Sequence, residues 1–137
     1  MVESPKKILP WDKLPEMDVS AKKLNVNGLK KALGTDAVVK YYAPWCGHCK
    51  HLAPIYNAVA AKAPAGVHVV RFNMDKHSGE VQEQRIGEAE FGSPVSDDVK
   101  GFPTVLMYRS DGTRSVYQGP RDEESMLNTI NAYYSKS

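Results

Sequence analysis

One junction constrains the fold of this chain more than any other feature. Ala37–Ala43, rich in Val and Tyr, leads through Pro44-Trp45 into Cys46-Gly47-His48-Cys49, and a helix-like pattern begins at once. Leu52, Ile55 and Val59 fall on one face of that pattern, which runs to about Lys62. Pro54 inside it predicts a kink. A strand therefore delivers a cysteine to the first turn of a helix. These two cysteines are the only ones in 137 residues, too few for the disulfide framework of a small secreted scaffold. A chain of this length can bury a core without such staples.

The remaining segments alternate in the same way. Asn27 is expected to cap a short helix through Leu33, with Gly34 ending it. Val67–Phe72 reads as a strand and Gly79–Ile86 as a weak, polar helix. Thr104–Tyr108 and Ser115–Gln118 read as strands joined at Asp111-Gly112, a strong hairpin signal. Met126, Leu127, Ile130, Tyr133 and Tyr134 give the last helix its apolar face, and Asp122, Glu123 and Glu124 crowd its positive end. Together these predict an α/β domain with a central mixed β-sheet flanked by helices. Residues 1–17, with Pro5, Pro10 and Pro15, read as an arm that Trp11 and Leu14 could dock; residues 18–137 form the domain.

Composition excludes several classes. Hydrophobic residues make up 42% and charged residues 25%, a globular balance. A net charge of +2 supplies no strong field for nucleic acid or anionic membrane. No apolar run approaches the ~20 residues of a membrane span, and the first residues show no apolar signal-peptide core.

The chemistry resides in the CxxC pair. Beside a βαβ pattern this spacing is the cue for a thioredoxin-like redox site. Cys46 at a helix N-terminus meets unpaired N–H groups and the positive end of the dipole, which favour a thiolate, the nucleophile of disulfide exchange. Cys49 lies one turn deeper and resolves the mixed disulfide. A partly protonated His48 favours the Cys46 thiolate and moves the pair toward the oxidising end of the dithiol range. Lys50 either adds charge in the first turn or is a solvated helix lysine. A c-type haem needs CxxCH, but Lys50 follows Cys49. A zinc site would need two more ligands from His48, His51, His68 and His77, and the usual H-x₃₋₅-H pair is absent.

The stretch Tyr41-Tyr42-Ala43-Pro44-Trp45-Cys46-Gly47-His48-Cys49-Lys50-His51-Leu52-Ala53-Pro54 closely resembles the active-site segment of the protein disulfide isomerase family in the thioredoxin superfamily. Gly101-Phe102-Pro103-Thr104 resembles the family's cis-proline segment, and Tyr117-Gln118-Gly119-Pro120-Arg121 its later glycine–arginine segment. The resemblance implies a thioredoxin fold and an enzyme that forms and rearranges disulfides in protein substrates. It needs no cofactor beyond the redox-active Cys46–Cys49 pair. It also implies that Trp45 shapes the surface beside Cys46, with some core burial. Pro103 would be cis against the pair, and substrate backbone would pair beside Phe102 and Pro103. Arg121 would approach the buried cysteine and favour its thiolate; the plainer account is that Asp122, Glu123 and Glu124 neutralise it. Glutathione or another thiol is the expected redox partner, and a monomer the expected state. The alternatives are a thioredoxin-like reductase and a non-catalytic thioredoxin-fold binding module.

Three features depart from the family pattern. Lys40 stands where the family usually carries a buried Glu or Asp that moves a proton to and from the resolving cysteine. It could be neutral and act as a base, stay charged and favour the Cys49 thiolate, or snorkel to solvent. Residues 88–98 read as an acidic, loop-like insertion, solvated unless it selects partners. The family works in the endoplasmic reticulum lumen, yet neither a signal nor a retention tail is expected here, which leaves the cytoplasm open.

Overall fold

The computed structural model describes residues 21–135. The 1–17 arm, with the docking expected of Trp11 and Leu14, lies outside them. The elements are β1 (Lys22–Leu24), α1 (Val26–Ala32), β2 (Ala37–Tyr42), α2 (Gly47–Lys62), β3 (His68–Asn73), α3 (Met74–Glu83) and α4 (Glu88–Phe91). A 3₁₀ turn at Val95–Asp97 precedes β4 (Thr104–Tyr108), β5 (Arg114–Val116) and α5 (Glu123–Tyr134). The strands form one mixed sheet in the order β1-β3-β2-β4-β5. β1, β3 and β2 run parallel, while β4 is antiparallel to β2 and β5 to β4.

Side-chain alternation along β2 divides the core into two layers. Val39 and Tyr41 pack with Leu29 of α1 and Val81 of α3. Val38 faces the other way, against Leu52, Tyr56 and Val59 of α2 and Met126 and Ile130 of α5. Lys40 continues the Val38 row and so falls on the α2 side. The sheet holds α2 by a hydrogen bond as well: the buried Tyr56 hydroxyl donates to the Val70 carbonyl at 2.7 Å. On the opposite layer the Tyr41 and Tyr108 hydroxyls share a buried hydrogen bond of 2.8 Å.

Several boundaries differ from those expected. Asn25, not Asn27, caps α1, its side chain accepting the Gly28 N–H at 2.8 Å. The earlier start puts Val26 and Leu29 on the buried face. The polar helix begins at Met74 rather than Gly79, because Asn73 ends β3 and caps α3 without an intervening loop. Met74 and Val81, seven residues apart, anchor its buried face. β5 is Arg114–Val116 rather than Ser115–Gln118, although the Tyr117 N–H still donates to the Val105 carbonyl at 2.8 Å. Asp111-Gly112 does turn the β4–β5 hairpin, with Gly112 at φ +92°.

The 88–98 segment corrects the expectation of a solvated loop. Val95 is fully buried in the α1–α3 layer, which is worth roughly 1.5–3 kcal/mol for a side chain of its kind. The Phe91 ring lies 5.1 Å from that of Tyr108. Arg114 bonds the Ser93 carbonyl at 3.0 Å, pairs with Asp98 at 2.8 Å and covers Phe91 at 5.3 Å. Backbone shape supports this packing. Gly87 has φ +96°, and a Cβ there would stand 2.7 Å from Val95 Cγ1.

Candidate active site

The C-terminal end of β2 and the start of α2 place the two cysteines. Cys46 is the N-cap of α2 in an extended conformation. Its Sγ accepts the Cys49 N–H at 3.2 Å, so sulfur takes the place that a Ser or Asp oxygen holds in an ordinary cap. Negative charge on that sulfur strengthens the bond and is favoured by the helix dipole. Both cysteines are thiols here, which makes this the geometry of the reduced pair. They are almost covered, Cys46 at 7% and Cys49 at 4% exposure, within a small apolar cluster of Ala43, Tyr42 and Phe102. Burial pushes the Cys49 thiol up to about 11; its contact with Cys46 adds to the rise, and the Ala43 backbone and Lys40 oppose it.

The Phe102–Pro103 bond is cis, and Pro103 is buried. The Thr104 hydroxyl donates to the Gly101 carbonyl at 2.7 Å and closes the turn that carries these residues. The Cys46 thiol points at the Phe102 carbonyl, 3.6 Å away. Trp45 is 66% exposed and meets Phe102 edge to face at 6.0 Å between ring centres. The expectation of partial core burial for Trp45 is thereby corrected: its ring forms an exposed ledge beside the thiols. Gly47, His48 and Lys50 are exposed on the first turn, and a Cβ on Gly47 would meet nothing within 4 Å. The approach to Cys46 from that side is open.

Lys40 is 3% exposed, so snorkelling is the fate it does not take. Its Nζ lies 5.4 Å from the centre of the Tyr42 ring and 5.0 Å from that of Tyr56. Burial lowers its pKa to about 8, aided by Arg71 and opposed by Cys49 and Cys46. Tyr56 and Arg71 were not singled out from sequence, although spacing held the signal. Tyr56 stands seven residues after Cys49, two helical turns along one face, and Arg71 is the direct register neighbour of Lys40 on β3. Arg121 stands exposed on the loop before α5 and is not among the groups that act on Cys49, which are Cys46, the Ala43 backbone and Lys40.

Comparison with known proteins agrees with this geometry. The thioredoxin family model matches residues 20–132. Protein disulfide isomerase-like 2-1 of Oryza sativa subsp. japonica is 35% identical over 99 residues, covering 70% of this chain and 24% of the relative. Protein disulfide isomerase-like 1-1 of Arabidopsis thaliana is 32% identical over 97 residues, covering 71% of this chain and 17% of the relative. The chain thus spans a quarter or less of the length of these relatives. The J-Trx1 fragment of ERdj5 superposes with a TM-score of 0.67 at 20% identity, over 83% of this chain and 51% of that one. The first thioredoxin domain of mouse protein disulfide-isomerase A4 gives 0.65 at 21% identity, over 91% and 82%. At such identities the superpositions speak to the fold. The chain belongs to the thioredoxin family, among the thioredoxin-superfamily relatives of the protein disulfide isomerases.

Proposed function

We propose that this domain catalyses thiol–disulfide exchange in protein substrates, with disulfide donation as its stronger direction. The observation that carries the reading is the capping sulfur: Cys46 Sγ holds the Cys49 N–H at 3.2 Å at the positive end of a 16-residue helix. A group in that position is the better leaving and attacking sulfur of the pair. In the donating direction a substrate thiolate attacks Cys46 of the oxidised pair, the Cys46–Cys49 bond breaks, and its electron pair goes to Cys49. A second substrate thiolate then displaces Cys46, leaving an oxidised substrate and a reduced pair. The pair itself carries the two electrons, with no bound cofactor.

Roles for the surrounding residues follow from their positions. The Trp45–Phe102 ledge gives apolar contact to a substrate chain, and the backbone of Phe102 and Pro103 pairs with it, so sequence demand is low. Gly47 keeps the approach clear, and His48 and Lys50 add positive charge near the reacting sulfurs. The domain acts as a monomer in an oxidising compartment, the endoplasmic reticulum lumen, with glutathione or another thiol restoring the pair. Among the described residues no helix is long and apolar enough to cross a membrane. The test is the refolding of reduced ribonuclease in a glutathione buffer. Recovery of activity above the buffer rate, lost in Cys46→Ser, supports the proposal. No acceleration, together with efficient insulin reduction coupled to a thioredoxin reductase, overturns it.

A further inference from the structure

The Phe102 side of the substrate ledge is held by a segment that the exchange chemistry itself does not use. Arg114, on the edge strand β5, reaches across to residues 93–98 with all three of its guanidinium nitrogens. Nε pairs with the Asp98 carboxylate at 2.8 Å, Nη1 donates to the Ser93 carbonyl at 3.0 Å, and Nη2 donates to the Ser93 hydroxyl. The arginine and aspartate side chains are 15% and 27% exposed, so most of the pair is out of solvent. A desolvated ion pair is a weak source of net stability. A planar fork with three directed bonds, however, admits a single arrangement of its partners. Asp98 stands four residues before Phe102. Val99, between them, packs with Phe102 against the buried cluster that contains Val95, and Phe102 packs against the cysteine cluster as well. On the other flank the Thr104 hydroxyl closes the turn onto the Gly101 carbonyl. Phe102 thus sits between two anchors, with its carbonyl 3.6 Å from Cys46 Sγ and its ring 6.0 Å from that of Trp45.

We propose that Arg114 and Asp98 are positioning residues for polypeptide substrates: they fix where the ring and backbone of Phe102 stand beside the thiols, and so how well a peptide chain is held for exchange. This deepens the exchange reading and rests on it, since that reading pairs the substrate chain with Phe102 and Pro103. It also gives the 88–98 segment, which departs from the family pattern, a task at the part of the site that meets substrate. Without the clamp, Asp98 and Ser93 turn to water, the 3₁₀ turn at Val95–Asp97 loses its tie to β5, and Phe102 samples a wider range of positions. A peptide chain then loses ordered contacts with the ring and the backbone. The cysteines keep their own support, because the β2–α2 junction holds them. A thiol too small to touch Phe102 therefore reacts at its native rate. The clamp separates two properties: the hold on a chain depends on it, and exchange at Cys46 does not.

The experiment compares two attacking thiols on the oxidised protein: mercaptoethanol, and a short end-blocked peptide with one central cysteine between apolar residues. Starting from the oxidised pair leaves Cys46 no thiol proton to share with the Phe102 carbonyl. Single turnovers are quenched with acid and read by mass spectrometry, and the readout is the peptide rate divided by the mercaptoethanol rate, each per thiolate. In Arg114→Lys, which keeps the charge and loses the fork, this ratio falls about tenfold, as expected for one lost aromatic contact to the chain. Asp98→Asn gives a similar fall, and the double variant falls no further, because the two residues act as a unit. Ile130→Val trims a fully buried side chain in the α2–α5 layer; it is destabilised without touching the clamp and keeps the native ratio. A ratio within about twofold of native in either clamp variant overturns the inference while leaving the exchange reading in place. So does an equal loss with both thiols, or a fall in Ile130→Val as large as in the clamp variants. A native chain that reacts with neither thiol overturns the exchange reading as well.

Discussion

Replacing Lys40 by methionine should stabilise the reduced protein at neutral pH. Burial lowers the lysine from its ordinary 10.5 to about 8, so holding the charge inside the fold costs about 3 kcal/mol at pH 7, at 1.36 kcal/mol per unit. The two ring contacts, at 5.4 and 5.0 Å, return about 0.5–1 kcal/mol each. Methionine keeps the unbranched stem and its packing without the charge. The net expectation is a gain of about 2 kcal/mol at pH 7. The sign of the pH dependence follows from the proton count. Between about 8 and 10.5 the unfolded lysine binds more protons than the folded one, so native stability rises with pH across that window. Cys49, raised from 9.0 to about 11, acts the other way above pH 9, and the buried tyrosines, also raised, follow above 10. The clear interval is therefore pH 7 to 9, over which the advantage of Lys40→Met shrinks by about 1 kcal/mol. Urea unfolding of both proteins under reducing conditions at pH 7 and pH 9 measures this directly. A variant less stable than native at pH 7, or an advantage unchanged at pH 9, refutes the reasoning.

Two other substitutions probe the fold around the site. Gly87→Ala places a methyl group against Val95 Cγ1 on a backbone at φ +96°, and should lower stability by about 1–3 kcal/mol in urea unfolding; a neutral effect would mean that the 88–98 segment does not pack as described. Tyr41→Phe leaves the buried Tyr108 hydroxyl without its 2.8 Å partner and should cost about 1–3 kcal/mol, while glutathione exchange at Cys46 stays unchanged because the two tyrosine rings lie on the opposite side of the sheet from α2.

Legibility from sequence tracked the strength of local signals. The β2–α2 junction, the Asp111-Gly112 turn and the α5 face were plain because each carries a periodic pattern and a terminating residue. α3 was misplaced because Asn73 belongs at once to a strand and a cap, and the polar composition of the helix hid an apolar face anchored by Met74 and Val81. Residues 88–98 looked acidic and loop-like because composition does not reveal that one valine, Val95, enters the core while Arg114 from a distant hairpin ties the segment down. Lys40 was visible as an anomaly, but its fate was not. Strand parity places it on the α2 side, and only the packing of Tyr56 and Tyr42 around Nζ decides that it stays buried.

The central claim, that the Cys46–Cys49 pair donates disulfides, is tested most directly by its reduction potential. Equilibration in glutathione redox buffers with alkylation of the free thiols gives the value. The account predicts a potential near about −180 mV, that of protein disulfide isomerase. A value near about −270 mV, that of thioredoxin, would make the pair a reductant and contradict it.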